Sequence, residues 1–456
     1  MALKLRNTLS GELETFEPIG KTVKMYNCGP TVYDHATIGN LRSYIFADTL
    51  RRTLDALGYT VKQIINITDF GHLVSDADEG EDKMTKGLRR EGLAITMDNM
   101  HTLAERYTEA FLCDITQIGV DTGRITFPRA SDYIAQQIEL IKTLEQKGYA
   151  YNTPSGVYFD TAKYKNYGML GGINLVGQQA RARVELGDKH TPQDFVLWKP
   201  DDKLGWESPW GLGFPGWHTE CVAMIFALLG EQIDIHTGGI DHIPVHHNNE
   251  IAQAENASGK SPFVRYWIHN AFLTVDENRV GKSQGNAILL KDVVDRGINP
   301  RALRYWYLTA HYRSPVNFTW EALEGADTAL KRLTKIYNEP QFSRSDLLDE
   351  AFLTKFYAAI ADDLDTPKAL ALVWENIKTL NRATLAEADK ILGLGLTEVR
   401  LPLSVEVPAE IKKLADEREA ARKNKEFARS DTLRAQIESA GFDIKDTPEG
   451  SQLTKK

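Results

Sequence analysis

The sequence predicts an α/β protein: a doubly wound parallel sheet with an inserted connective domain, then an α-helical bundle and a small C-terminal α+β module. Three observations lead there. A strand–loop–helix–strand unit opens the chain, and the same alternation resumes near Pro215 after a stretch of different composition. From about Trp320 onward the pattern is almost wholly helical.

Thr22–Asn27 alternates apolar and polar residues through Val23 and Met25, as a strand does, and runs into the turn-forming Cys28-Gly29-Pro30. Between Gly39 and Gly58 the residues Leu41, Ile45, Phe46, Leu50, Leu54 and Leu57 recur at helical spacing, and the strand-like Thr60–Ile67 follows. The charge-crowded stretch from Asp69 to Arg90 reads as an exposed loop. Helices are expected over Thr96–Gly119 and Ser131–Lys147. Tyr149–Lys199, rich in Gly, Tyr and short β-like pieces, reads as an insertion. The βα pattern then returns as a helix to Leu229, a strand Gln232–His236, a Gly-Gly turn and a helix from His246. Helical patterns continue to Leu392, a loop with Pro402 and Pro408 follows, and a highly charged tail runs from Ala409 to Lys456. One helical stretch, Glu417–Ile437, carries Arg418, Arg422, Lys423, Lys425, Arg429 and Arg434.

Composition narrows the function classes. The 456 residues are 42% apolar and 26% charged, which suits a globular protein of several domains and not a disordered chain. Lys+Arg 54 against Asp+Glu 63 gives a net charge of 54 − 63 = −9, so a nucleic acid would have to be met by local basic patches. No apolar run reaches the length of a membrane span, and the first residues carry charge where a signal peptide is apolar. Cys28, Cys113 and Cys221 are odd in number and widely spaced, which argues against a disulfide framework. A cytoplasmic protein with no membrane partner is expected. Cys113, within Phe111-Leu112-Cys113, reads as a small buried hydrophobe.

Two constellations carry chemistry. His246 and Glu250, four apart on a helix, share one face and can reach a single metal. Cys28 closes the first strand and Cys221 opens the helix before His246, so a parallel sheet brings all four to its carboxyl edge. Two thiolates, an imidazole and a carboxylate make a tetrahedral zinc set; as isolated residues, a solvated His–Glu pair and buried cysteines are the competing reading. The second constellation is Thr37-Ile38-Gly39-Asn40 at the first strand–helix junction, with Arg279-Val280-Gly281-Lys282-Ser283 far downstream. A glycine at a helix start lets a phosphate approach the backbone, and a loop with Arg and Lys can neutralise developing charge.

Taken together, CGPTVYDHATIGN at 28–40, NITD at 66–69, DFVLWK at 194–199, PGWHTEC at 215–221, DIHTGGIDHIPVHHNNEIAQAE at 234–255, VGKSQGN at 280–286 and HYRSPVNF at 311–318 resemble cysteinyl-tRNA synthetase over essentially the full length. The resemblance implies a Rossmann-type class I core. Its halves would span 1–120 and 206–262, with a connective insertion at 121–205, a stem-contact region at 263–318, a helical bundle at 319–400 and an anticodon-binding module at 405–456. It implies ATP-dependent ligation of L-cysteine to tRNA(Cys) through a cysteinyl-adenylate, by a monomer that uses one Zn²⁺ per chain and Mg²⁺ with ATP. It also implies roles: Cys28, Cys221, His246 and Glu250 as zinc ligands; Thr37, Asn40 and Lys282 in catalysis; Gly39, Asp241, Lys282 and Ser283 at ATP; Thr68, Trp217 and His236 around cysteine; Arg422 and Asp446 at the anticodon. Two signatures depart from the class I pattern, His-Ile-Gly-His (or Asn) being Thr37-Ile38-Gly39-Asn40 here and Lys-Met-Ser-Lys-Ser being Arg279-Val280-Gly281-Lys282-Ser283. Two alternatives share these features: a cysteine ligase acting on an amino sugar, and a catalytically impaired tRNA-binding paralogue.

Overall fold

The structure is a computed structural model that describes residues 2–71, 82–172, 187–275, 278–279, 287–339, 342, 347–398, 409–424, 426–440, 442–447 and 450–455. The chain divides into two units, Met1–Leu396 and Thr397–Lys456. Among the described residues no helix is long and apolar enough to cross a membrane.

The first unit is built on a five-stranded parallel sheet. In chain order its parts are β1 (Thr22–Asn27), α1 (Ile38–Ala56), β2 (Thr60–Ile65), β3 (Ile125–Thr126), α2 (Trp217–Leu228), β4 (Ile233–Gly239), α3 (His246–Ser258) and β5 (Val264–Asn270). The strand order is β5-β4-β1-β2-β3, parallel throughout. The chain winds outward from β1 in one direction and, after a long excursion, from β4 in the other. Ligands of such sheets bind where the order reverses, here at the carboxyl ends of β1 and β4. The excursion contains an antiparallel sheet of Ala150–Thr153, Gly156–Phe159, Phe195–Pro200 and Gly213–Pro215.

Three segments differ from the sequence expectation. Lys83–Arg90 is helical rather than part of a loop: Asp82 caps it through Thr85 N, and Met84, Gly87 and Leu88 are buried. Gly87 suits that position, since a Cβ would lie 2.9 Å from the Tyr33 backbone oxygen and 2.9 Å from Leu103 Cδ2 of the helix Met97–Gln117. Gly238 and Gly239 form no turn but end β4, because they pair with His269 and Asn270 of β5. In the tail, two helices, Ala409–Lys423 and Phe427–Ser439, replace the single expected stretch. They accompany an antiparallel hairpin, Phe442–Thr447 with Gly450–Lys455, over a small core of Ile411, Ala415, Ile437, Phe442 and Ile444.

Beyond the helix Pro300–Leu308, the described residues form a bundle of Trp320–Asn338, Glu350–Ala361, Thr366–Asn376 and Arg382–Leu392. Their apolar faces share one core with Phe46, Leu50 and Leu54 of α1 and with Leu3 and Leu5 of the N-terminal strand. A buried charge cluster reinforces this junction. Asp48 of α1, fully buried, lies 2.6 Å from Arg52 Nε, 2.7 Å from Arg304 and 3.3 Å from Arg51. Arg304 Nε also donates to Leu392 O at 2.5 Å, so its charge faces the negative end of the last bundle helix. Gly393, with φ at +65°, ends that helix, and a Cβ there would meet the Arg304 guanidinium at 2.6 Å.

Candidate active site and metal centre

Cys28, just past β1, meets Cys221 of α2 and His246 and Glu250 of α3; one ligand atom from each lies within 4.8 Å of all the others. Cys221, His246 and Glu250 are buried, whereas Cys28 is partly exposed. His246 Nε2 is 2.8 Å from Glu250 Oε1 and 3.7 Å from Cys221 Sγ, and its other nitrogen is 2.8 Å from His218 Nδ1. His236 of β4 places Nε2 2.8 Å from Glu250 Oε2. Despite these short distances, both Glu250 oxygens lack a hydrogen bond of acceptable geometry among the described residues. A fully buried carboxylate in that condition suits a cation at the centre of the cluster, and sulfur, sulfur, nitrogen and oxygen are the donors zinc takes.

A second set overlaps the first: Cys28, His236, His247 and Glu250 also converge within 4.8 Å. His247 Nε2 is 3.3 Å from Cys28 Sγ, its Nδ1 is 2.8 Å from His269 Nε2, and His269 Nδ1 is 2.7 Å from Thr8 Oγ1. Gly238 makes room for these rings, because a Cβ there would lie 2.7 Å from His242 and 2.8 Å from His247.

Electrostatics follow from burial and crowding. Burial opposes a charged ring at His246, yet the Glu250 carboxylate and the Cys28 sulfur push it up to about 10. Burial dominates at His247 and holds it down to about 4. Glu250 lies far below the usual carboxylate range: burial works against the charge, but His236 and His246 outweigh it. The two sulfurs shift in opposite directions. Burial alone would raise Cys28, but the hydrogen bond from Cys221 and the rings of His247, His242 and His246 hold it well below an ordinary thiol. The same hydrogen bond, with burial, pushes Cys221 up.

Of the other expected residues, Trp217 packs against this cluster. The Trp217 ring centroid is 4.2 Å from that of His246. Thr68 is buried and donates its hydroxyl to Glu220 Oε2 at 2.9 Å. Thr37 is the N-cap of α1: its Oγ1 accepts from Asn40 N at 3.3 Å and donates to Asn40 Oδ1 at 2.8 Å, and Thr37 N donates to the same oxygen at 3.0 Å. Gly39 is half-buried and Asn40 exposed at this helix start. Leu273 is the neighbour a Cβ on Gly39 would touch, at 3.5 Å. Asp241 is exposed beyond β4, and its carboxylate folds back on Gly239, where a Cβ would lie 2.1 Å from Oδ1. Lys282 and Ser283 lie outside the described residues. Ile288, just after them, accepts a hydrogen bond from Ile38 N at 2.9 Å.

In the second unit Arg422 is exposed on the helix Ala409–Lys423, and Asp446 belongs to the strand Phe442–Thr447. Arg418, expected among the surface cations of this region, is buried. Cys113 also departs from expectation, being exposed with Gln117 Nε2 donating to its sulfur at 3.2 Å.

Sequence reasoning passed over His218, His242, His247 and His269, and also Arg42. Arg42 is buried, and its guanidinium donates to the carbonyls of Ala271, Phe272, Tyr312 and Ser314. A signal for the histidines was present: the chain has 11, and seven of them lie between residues 190 and 269.

Comparison with known proteins accords with this geometry. Residues 15–328 match the family model for the class I (C) tRNA synthetase catalytic domain, and residues 355–397 that for the DALR domain. Cysteine–tRNA ligase 1 of Burkholderia lata is 46% identical over 466 residues, covering 99% of this chain and 97% of that protein. The cysteine–tRNA ligase of Treponema denticola is 41% identical, covering 98% of each chain. Among solved structures, Mycobacterium tuberculosis methionyl-tRNA synthetase in complex with methionyl-adenylate superposes with a TM-score of 0.56 at 14% identity. That match covers 83% of this chain and 90% of the other, a likeness of fold. With the catalytic domain matched across most of the chain and close relatives matched from end to end, the chain belongs to the cysteine–tRNA ligase family of class I tRNA synthetases.

Proposed function

We propose that this enzyme joins L-cysteine to tRNA(Cys) in two steps at the carboxyl edge of β1 and β4. The cysteine carboxylate attacks the α-phosphate of ATP, giving cysteinyl-adenylate and pyrophosphate. A ribose hydroxyl of the tRNA terminus then takes the aminoacyl group and AMP leaves. The observation that carries this reading is the convergence of Cys28, Cys221, His246 and Glu250 within 4.8 Å. Zinc held by these four would bind the substrate side chain as a thiolate, a bond for which the hydroxyl of serine is a poor replacement. Such a term is needed, because an apolar pocket separates near-isosteres by only about 1–3 kcal/mol.

The remaining assignments describe what the chain's own groups do. Asn40 uses its amide oxygen in the helix cap, which leaves the amide N–H donors for a phosphate, and Thr37 orients it. Gly39 leaves the backbone open to ATP, Asp241 meets the ribose, and Lys282 with Ser283 neutralises charge on the transferring phosphate. Magnesium accompanies ATP. Trp217, Thr68 and His236 frame the cysteine. The six segments read from the sequence are then catalytic halves, insertion, stem-contact region, bundle and anticodon module, with Arg422 and Asp446 in the last meeting unstacked bases.

ATP–pyrophosphate exchange with cysteine and with serine, before and after removal of the metal by a chelator, tests this. Exchange should need cysteine and fall with the metal. Exchange with serine at a comparable rate, or full activity in metal-free protein, would defeat the proposal.

A further inference from the structure

We propose that Arg42 is a positioning residue for the ATP-using step: its guanidinium sets the start of α1 against the strand Leu273–Val275, which leads toward the stretch that carries Lys282. This rests on the reading above, in which Gly39, Asn40 and Lys282 serve the phosphates of ATP, and adds what holds those two pieces of chain at a fixed distance.

Arg42 stands on α1 just after Gly39 and Asn40 and is buried, with 3% of its surface exposed. Nη1 donates to Ala271 O at 2.9 Å and to Phe272 O at 2.8 Å. Nη2 donates to Ser314 O at 2.6 Å, Tyr312 O at 3.2 Å and His311 O at 3.4 Å. All of these acceptors are main-chain carbonyls, and they come from two segments remote in sequence. Ala271 and Phe272 run directly into Leu273–Val275, while Tyr312 and Ser314 lie just ahead of Val316–Phe318; the two strands pair in parallel. The segments are also bonded to each other, Ala271 N donating to Tyr312 O at 2.9 Å and Val316 N to Phe272 O at 3.2 Å. One guanidinium thus gathers the entry of both strands onto α1.

Burying a cation against dipoles, without a carboxylate, costs stability that an apolar side chain of similar size would not. What the guanidinium adds is geometry, since its N–H donors are fixed in one plane and can reach both segments at once. The group whose geometry it sets is the first turn of α1. There Ile38 N donates to Ile288 O at 2.9 Å, Tyr307 Oη donates to Ile38 O at 2.9 Å, and a Cβ on Gly39 would lie 3.5 Å from Leu273 Cδ2. The Arg42 guanidinium carbon is 5.7 Å from the Tyr307 ring centroid, which joins these contacts into one assembly. Transfer at phosphorus is catalysed mainly by placement, and a misplacement of about 1 Å caused by a residue away from the reacting atoms can cost about 100-fold in rate. The second step starts after pyrophosphate has left, so it places a smaller demand on this assembly.

The experiment uses the full-length, zinc-loaded protein and Arg42→Lys, which keeps the charge but concentrates it in one ammonium group that cannot span both segments. In the folded variant, kcat for cysteine-dependent ATP–pyrophosphate exchange should fall about 100-fold while KM for cysteine stays within about twofold. Single-turnover transfer from synthetic cysteinyl-adenylate to tRNA should also stay within about twofold, which a general loosening of the fold would not allow. Arg42→Gln, which keeps amide donors and buries no charge, should show the same split and decides the matter if Arg42→Lys does not fold. Unchanged exchange in a folded variant would overturn the proposal. Exchange and transfer falling together would overturn it as well, leaving Arg42 as fold support alone. Absence of exchange in the unsubstituted protein would instead overturn the reading on which the proposal rests, and the proposal with it.

Discussion

Cys28 and Glu250 belong to both donor sets, so which set would hold a metal turns on single residues. The set with Cys221 and His246 has two sulfurs, which zinc favours over a lone thiolate with two imidazoles. His246→Ala and Cys221→Ser should therefore lose stoichiometric zinc while His247→Ala retains it, measured by atomic absorption on purified variants. The reverse pattern would move the metal to the other set. Thr37 makes a different kind of contribution. Its hydroxyl closes the capping box of α1, so Thr37→Ala should destabilise the first unit by about 1 kcal/mol and Thr37→Ser by far less, read from denaturant midpoints. If Thr37 acts through Asn40, exchange activity should follow the same order. The convergence of these four residues at one edge was legible in the sequence because strand ends and helix starts of a parallel sheet share one side. The histidine partners were not, since His218 and His269 sit on elements that pattern alone reads as core. Cys113 shows the same limit in reverse, as two large apolar neighbours do not say which way the third side chain of a helix faces.

At the scale of elements, α3 runs HHNNEIAQAENAS and is nonetheless buried along His246, His247, Asn248, Asn249, Glu250 and Gln253. Several of its polar groups are paired: Asn249 accepts from Tyr167 at 2.5 Å, and Asn248 donates to Ile243 O at 2.7 Å, while the Glu250 oxygens are left for a cation. The helix was legible, but its burial was not. The strand β4 was legible only as far as His236, because glycine pairs read as turns unless a neighbouring strand claims them. The Asp48 cluster gives α1 its own pH response. Burial alone would raise this carboxyl, but Arg304, Arg52 and Arg51 hold it below the usual range. A group lowered on folding adds stability that is complete above its unfolded value, about 3.9, and is lost as pH falls through the lower folded value. Asp48→Asn should cost roughly 3–5 kcal/mol near neutrality by leaving Arg304 buried without its charge partner. In thermal melts from pH 7 to pH 3, the gap between the two proteins should hold above about pH 5 and narrow below about pH 4.

At the scale of the whole molecule, the alternation of strands and helices foretold the doubly wound order, while the helix at Lys83–Arg90 was hidden by its charge. The tail is a separate compact unit with its own small core. Removing residues 405–456 should accordingly leave cysteine-dependent exchange nearly intact and sharply reduce tRNA charging; equal loss of both would show that the tail supports the catalytic fold. One link described above has a consequence for kinetics. Leu273–Val275 lies against Gly39 and pairs with Asn278–Arg279, and on the far side of residues 280–286 the Ile288 carbonyl is bonded to Ile38 N. The stretch that carries Lys282 is thus stapled at both ends to the mouth of α1. In the role proposed above for Lys282, its ammonium group would act as a tethered reagent, at an effective concentration on the order of millimolar whatever the amount of enzyme in solution. A nick within that stretch would release one of its two tethers and so lower that effective concentration, with no reacting group altered.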